Sequence, residues 1–242
     1  MLRFIFNLLF PPECLICKVR VTAHGTLCLS CWQSVRFITE PMCGCCGLPF
    51  DYEMGNAATG GNSNLCAECL HTRPLYGRAR AAFCYDENSR RLITRFKYSD
   101  QTQLAKIYGQ WLTRAGGELL AQTDIIVPVP LHYFRFVARR FNQSSLLAWE
   151  ISKNTGIKHL PCAIKRTRHT KQQTGLSKSQ RAVNVKNAFS IRPRYAAQIK
   201  GRNILLVDDV ITTGSTIKQC VKALLKAGAT QVNVLTLARA GR

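Results

Sequence analysis

Acidic residues are scarce in this 242-residue sequence, which has 13 Asp and Glu against 34 Lys and Arg and a formal net charge of +21. No apolar run approaches membrane-spanning length, and no small-residue cleavage site follows the short apolar stretch at residues 1–10. We therefore expect no stable membrane insertion and predict a cytoplasmic location. The hydrophobic content of 46% is ample for a folded core.

Two common phosphate-binding motifs are also missing. No G-x-x-x-x-G-K-[ST] occurs anywhere in the sequence, and no G-x-G-x-x-G follows a predicted strand. The sequence thus lacks the loop with which many proteins bind and hydrolyse ATP.

Charge and cysteine are distributed in opposite ways along the chain. Residues 1–75 hold five Lys and Arg and five Asp and Glu, whereas residues 76–242 hold 29 and eight. Nine of the twelve cysteines lie between Cys14 and Cys69. These shifts predict two modules, a cysteine module at residues 1–75 and a basic domain at residues 76–242.

The cysteine module contains two sets of paired C-x-x-C units. The first quartet is Cys14, Cys17, Cys28 and Cys31, and the second is Cys43, Cys46, Cys66 and Cys69. Each pair can place two thiolates on one tetrahedral ion, and without a secretory signal we favour structural zinc over disulfides. Four thiolates leave no open position for catalysis. We expect one or two zinc ions, with an empty second quartet as the alternative.

The segment ILLVDDVITTGST, residues 204–216, joins a predicted strand to a predicted helix. Residues 204–207 are apolar, as in a buried parallel strand, and apolar side chains recur at helical spacing over residues 217–227. Ser215 or Thr216 is expected to cap the first helical turn. Ligands of such units bind beyond the carboxyl ends of the strands, so this segment is the predicted site.

The composition of the segment indicates the kind of ligand. Amides at a helix N-terminus and nearby hydroxyls favour a phosphate. The phosphate-binding candidates are Thr212, Thr213, Gly214, Ser215 and Thr216. Asp208 and Asp209 would repel the phosphate unless they engage vicinal sugar hydroxyls or a magnesium ion. The predicted ligand is therefore a sugar phosphate; the alternative is that the acids are ordinary exposed residues at a strand end.

The same segment resembles the phosphoribosyl pyrophosphate signature of type I phosphoribosyltransferases. The resemblance implies an α/β fold with a parallel sheet flanked by helices. It assigns the ribose 2′ and 3′ hydroxyls to Asp208 and Asp209, partly through magnesium, and the 5′-phosphate to residues 212–216. It also implies a pyrophosphate-binding loop after an earlier strand. Candidates there are Arg135, Arg139 and Arg140, unless these arginines are a solvated helix face.

A second basic stretch, residues 165–186, has seven Lys and Arg, no acid and little apolar periodicity, which predicts a mobile loop. By resemblance, such a loop would close over the pyrophosphate, and its cations would offset charge in the transition state. A groove for a nucleic-acid backbone is an equally good interpretation. The nucleic-acid-binding candidates are Arg166, Arg168, Lys171, Lys178 and Arg181.

The order of these parts is similar to that of the ComF/GntX family, which pairs a double zinc ribbon with a phosphoribosyltransferase-like domain. The shared blocks are PVPL at residues 128–131, RRFNQ at residues 139–143, RTR at residues 166–168 and LLVDDVITTGST at residues 205–216. Arg140 stands where the family usually has glycine. The resemblance implies handling of single-stranded DNA during natural transformation.

Three functions follow from these patterns. We predict a protein that binds phosphoribosyl pyrophosphate with magnesium, binds single-stranded DNA, and acts in DNA uptake; the high positive charge is its main support. The alternative is an active phosphoribosyltransferase with a nitrogenous acceptor, although no residues that would recognise an acceptor can be identified. In the third hypothesis the cysteine module is an adaptor for a DNA-translocating motor or a membrane partner.

Overall fold

The computed structural model describes residues 10–50, 65–98, 104–131, 141–167 and 188–241. In these ranges the helices are α1 (Leu29–Ser34), α2 (Ala67–His71), α3 (Glu87–Tyr98), α4 (Leu104–Ala115), α5 (Gly117–Leu120), α6 (Gln143–Thr155), α7 (Pro193–Ile199) and α8 (Ser215–Lys226). The strands are β1 (Ala79–Tyr85), β2 (Ile125–Pro128), β3 (Lys158–His159), β4 (Ile164–Arg166), β5 (Phe189–Ile191), β6 (Asn203–Ile211) and β7 (Gln231–Ala240).

Five strands form one parallel sheet in the order β1-β7-β6-β2-β3. The central strand β6 pairs with β7 on one side, from Asn203 opposite Gln231 onward, and with β2 on the other, from Ile204 opposite Ile125. β4 and β5 form a separate antiparallel pair. The predicted parallel sheet flanked by helices is confirmed.

Alternate strand residues contribute to two cores, one on each face of the sheet. Leu205 and Val207 of β6 belong to the core that also contains buried residues of α3, α4 and α6, such as Phe96 and Tyr108. Ile204 and Leu206 belong to the core that contains the buried side of α8. Continuous apolar strands are typical of sheets covered on both faces.

A glycine separates two helices, and one predicted strand has different bounds in the structure. Gly116 lies between α4 and α5, where a Cβ atom would lie 2.7 Å from Cδ2 of Leu235. Glycine therefore permits a close approach to β7 and ends α4. Strand β6 also runs on to Ile211, so the two aspartates lie within the strand and not beyond it.

The expected cap of α8 is wrong. The helix begins at Ser215, and its N-cap residue is Gly214, which has φ 70° and makes no side-chain capping hydrogen bond. The hydroxyl groups of the loop bond to each other instead: Oγ1 of Thr213 lies 3.0 Å from Oγ of Ser215.

The cysteine module packs against the β1 edge of the sheet. Ile38 N donates to Ala82 O at 3.0 Å, and Cys84 N donates to Arg36 O at 2.8 Å. The rings of Trp32 and Phe37 contact Trp111 of α4 at centroid distances of 6.3 and 5.4 Å. The module and the sheet thus share a packed surface. The boundary near residue 75 stays a prediction.

None of the helices in the described ranges combines the length and the apolar character needed to cross a bilayer.

Candidate functional site

The turn between β6 and α8 has the backbone expected of an anion site. Gly214 lies in the left-handed region with φ 70°, although a Cβ atom there would meet only Ile211 Cδ1, at 4.0 Å. The conformation, and not lack of space, therefore favours glycine. The first amides of an α-helix have no acceptor within the helix, and they carry the positive end of its dipole. The turn can thus receive a phosphate.

Asp208 is held in place by two hydrogen bonds. Its Oδ1 accepts from Ser144 Oγ at 3.0 Å and from the Asp209 amide at 2.9 Å. Burial raises the pKa of this carboxyl to about 7, and the neighbouring Asp209 charge adds to the rise. The Ser144 and amide donors and the charge of Lys97 act in the opposite direction. The folded environment of Asp208 therefore disfavours the ionised form of its carboxyl.

Asp209 is neutralised by a lysine that the sequence analysis did not identify. Lys97 Nζ, from the last turn of α3, lies 2.7 Å from Asp209 Oδ2. The two side chains are 24% and 17% exposed, so water screens this ion pair less than one at the surface. Lys97 is 112 residues away in sequence, and no local pattern pairs it with the acids.

The residues after Arg140 join three elements beside the acid pair. Asn142 caps α6: its side chain accepts from Ser144 N at 3.1 Å, and its Nδ2 donates to Val129 O, just after β2. Gln143 Nε2 donates to Lys97 O at 3.3 Å. Asn142 and Gln143 thus position Ser144 and Lys97 at the acid pair, a role that the sequence analysis did not identify. Polar residues before a helix that follows a strand are a signal that could have indicated the cap.

The other predicted site residues are placed as follows. Arg166 lies on β4, opposite Phe189 of β5, with its guanidinium carbon 5.3 Å from the centre of the Phe189 ring. The start of the segment predicted as a loop is therefore a strand. Outside the described residues, and still predictions, are Arg135, Arg139, Arg140, Arg168, Lys171, Lys178 and Arg181.

Both cysteine quartets have the geometry of a zinc site. Within each quartet the four Sγ atoms lie within 4.8 Å of one another. Cys17 and Cys28 are separated by 3.6 Å between Sγ atoms, as are Cys46 and Cys66. A tetrahedral site with Zn–S bonds of about 2.3 Å has S···S edges of about 3.8 Å. The eight cysteines are free thiols, and the two quartets are consistent with structural zinc.

Backbone donors support thiolate character in the same way in both quartets. Cys28 N donates to Cys14 Sγ, and Cys66 N donates to Cys43 Sγ, each at 3.3 Å. The Ser30 hydroxyl is the main group that lowers the pKa of Cys28, to about 6, whereas burial raises the pKa of Cys31 to about 12. A cation is needed for all four thiols of a quartet to ionise together.

Comparisons with known proteins agree with this architecture. The family model of the double zinc ribbon domain matches residues 5–70, and that of the phosphoribosyl transferase domain matches residues 137–242. Competence protein F of Haemophilus influenzae is 34% identical over 237 residues, which cover 96% of this chain and 98% of that protein. The chain belongs to the competence protein F family.

Other relatives that match most of the chain carry related names. DNA utilization protein YhgH of Escherichia coli K12 is 33% identical over 238 residues, 95% of this chain and 97% of that protein. Competence protein ComFC of Bacillus subtilis is 24% identical over 221 residues, 88% of this chain and 84% of that protein. The predicted family, the double zinc ribbon and the phosphoribosyltransferase-like domain are confirmed for this member of the competence protein F family.

Proposed function

We propose that this protein binds phosphoribosyl pyrophosphate and single-stranded DNA and acts in the cytoplasm in DNA uptake during natural transformation. The observation that supports sugar-phosphate binding is that an acid pair and a glycine turn lie together at the carboxyl end of the central strand β6. Asp208 and Asp209 on β6 lead within five residues to the Gly214 turn and the N-terminus of α8. Carboxylates suit sugar hydroxyls, and the turn suits a phosphate.

In this proposal the 5′-phosphate accepts hydrogen bonds from the amides and hydroxyls of residues 212–216. The ribose hydroxyls donate to the oxygens of Asp208 and Asp209. Arg135, Arg139 and Arg140 are proposed to contact the pyrophosphate, where charge-assisted hydrogen bonds would contribute most to affinity.

Magnesium fits the acid pair poorly. Asp209 Oδ2 already has an ammonium group at 2.7 Å, and Asp208 Oδ1 already accepts two hydrogen bonds. Mg²⁺ requires near-octahedral oxygen coordination and is often held by substrate phosphates. We therefore propose that magnesium accompanies the ligand on its pyrophosphate and is not bound directly between the aspartates.

DNA binding is supported by the charge and by the relatives. Chains named as competence and DNA utilization proteins match nearly the full length. In the described part of the chain, the exposed Arg192, Arg194 and Arg202 lie on or near α7, and the Arg194 guanidinium is 4.8 Å from the centre of the Tyr195 ring. Cations next to an aromatic ring suit a strand with exposed bases. The chain lacks an ATP-binding loop, so a separate motor protein would drive translocation.

The sugar-phosphate site is tested by Asp208→Ala combined with Asp209→Ala. Calorimetric titration with phosphoribosyl pyrophosphate and magnesium should show binding to the wild type and none to the double variant, while zinc content stays the same. Glu13→Ala with Glu87→Ala is the matched control, because it removes two exposed acids outside the turn and should preserve binding. Wild-type affinity in the Asp208 and Asp209 double variant would contradict the proposed site.

The DNA surface is tested by charge reversal. Arg166→Glu, Arg168→Glu and Lys171→Glu together should weaken retention of single-stranded DNA in a gel and reduce its salt dependence, whose log–log slope changes by about 0.7 per phosphate contact. The control reverses three exposed lysines elsewhere, Lys106, Lys153 and Lys158, with the same change in net charge. An equal loss of DNA retention in both triple variants would show only nonspecific charge attraction and would contradict the proposed DNA-binding surface.

The match to a phosphoribosyl transferase domain favours one second function, transfer of a phosphoribosyl group to a nitrogenous acceptor. Incubation with magnesium, phosphoribosyl pyrophosphate and a panel of purine, pyrimidine and amine acceptors tests it. Pyrophosphate released with one acceptor would establish the enzyme. Tight DNA binding with no release across the panel would favour the binding function.

A further inference from the structure

A pair of adjacent aspartates creates an electrostatic problem for a site that binds an anion. Two ionised carboxylates next to the Gly214 turn would repel the phosphate that the turn attracts. A bound divalent cation is one solution to this problem. The structure contains another, in the side chain of Lys97.

Lys97 is held at the acid pair by contacts of both its side chain and its backbone carbonyl. Its ammonium lies 2.7 Å from Asp209 Oδ2, and its backbone carbonyl accepts a hydrogen bond from Gln143 Nε2 at 3.3 Å. Gln143 is buried, with 1% of its surface exposed, and it belongs to the first turn of α6. The end of α3 is thus fixed to α6, and the lysine charge is directed at the acids without a ligand.

The remaining acid has its own neutral donors. Asp208 Oδ1 accepts from the Ser144 hydroxyl and from a backbone amide, and these bonds leave Oδ2 to receive a ribose hydroxyl. Lys97 thus offsets charge on the acid pair, and Ser144 stabilises Asp208 by a hydrogen bond, so both effects come from side chains of the protein. A magnesium ion at the same place would face the ammonium group at close range and would be repelled by it.

We propose that Lys97 is the resident cation of the acid pair, so that the ribose phosphate part of the ligand binds without a divalent ion. The inference deepens the proposed function and rests on it. Lys97 acts here as a positioning residue: it holds Asp209 oriented and neutralised while the sugar hydroxyls and the phosphate bind beside it. Magnesium would matter only for the pyrophosphate part of the ligand.

The test uses ribose 5-phosphate, which lacks the pyrophosphate that binds magnesium. The full-length zinc-loaded protein, freed of residual Mg²⁺ by buffer exchange, is titrated calorimetrically in metal-free buffer and in buffer with excess MgCl₂. Wild-type affinity should differ by less than about threefold between the two buffers. Lys97→Gln should lose roughly tenfold in metal-free buffer, since charge-assisted contacts have that order of effect, and should regain affinity with MgCl₂. Lys97→Arg should keep the magnesium-independent binding.

Arg91→Gln is the matched control, because it removes one exposed positive charge from the same helix α3 and should bind as the wild type does. Circular dichroism and zinc content should be unchanged in all three variants. Binding of ribose 5-phosphate by the wild type only with MgCl₂ overturns the inference, as does wild-type affinity of Lys97→Gln in metal-free buffer. In either case, retained binding of phosphoribosyl pyrophosphate with magnesium leaves the proposed function intact. If the wild type binds neither ribose 5-phosphate nor phosphoribosyl pyrophosphate, both the inference and the proposed function are overturned.

Discussion

Buried residues in the cysteine module and in the sheet domain differ in kind. In the described residues up to His71, seven of the ten buried apolar side chains are cysteines, and the other three are Leu15, Val35 and Ile38. In the sheet domain the buried residues are mainly strand and helix aliphatics and aromatics on both faces of β6. Cysteine quartets consistent with structural zinc thus make up most of the buried apolar side chains in the first region, while burial of aliphatic and aromatic surface stabilises the second.

Removal of zinc should show the difference between the two regions most clearly, because it should unfold only the cysteine module. A strong thiol-compatible chelator should unfold the cysteine module, because structural zinc contributes on the order of 10 kcal/mol to such modules. Hydrogen exchange should show lost protection around both quartets and retained protection in β6 and β7. Protection in the quartets that survives complete zinc removal would contradict the comparison.

A substitution that leaves a cavity in the sheet domain should have the opposite effect: it should lower the stability of that domain and leave the zinc sites intact. Phe96 is fully buried, and its ring lies 5.2 Å from that of Tyr108, so Phe96→Ala should lower the free energy of unfolding by about 3–5 kcal/mol. Denaturant unfolding measures this loss. Zinc content should not change; loss of zinc in this variant would show that the two regions fold only together.

The architecture was predictable because its signals are local. Residues 204–207 are a continuous apolar run, and the two cysteine quartets have regular spacing, so the sheet and the zinc ribbons follow from the sequence. The candidate site was predictable only in part. Lys97 and Ser144 reach Asp209 and Asp208 from distant helices, and such contacts depend on how α3 and α6 pack.

The site should also differ from the core in its pH dependence. The pKa of Asp208 is raised from 3.8 to about 7 in the folded protein, so stability is lost as the pH rises through this range and the unfolded chain releases its proton first. Asp208→Asn should remove this loss and stabilise the protein at pH 8. Because the Asp208 side chain is only partly buried and water screens its charge, we expect a gain of about 2 kcal/mol, less than the full pKa shift would give. The gain in melting temperature should be smaller at pH 5 than at pH 8 and close to zero below pH 3.8, the ordinary pKa of the group. An equal gain at pH 5 and pH 8 would contradict the assignment.

The smallest expected effect on stability is at the turn. Gly214→Ala places a Cβ atom at φ 70° and should destabilise the protein by about 1 kcal/mol. The same change should weaken sugar-phosphate binding, because the amides of the turn would move from their positions. Gly117→Ala, in α5 and with open space around its Cα, is the control for adding a methyl group. Equal binding by both variants would argue against the turn as the phosphate site.

A crystal structure of the protein with ribose 5-phosphate tests the central claim most directly. We predict a phosphate about 3 Å from the amides of residues 213–216 and ribose hydroxyls in contact with Asp208 and Asp209, with Lys97 still at Asp209. A ligand bound elsewhere, with the acid pair and the turn unchanged and unoccupied, would contradict the claim that this edge of the sheet is a sugar-phosphate site.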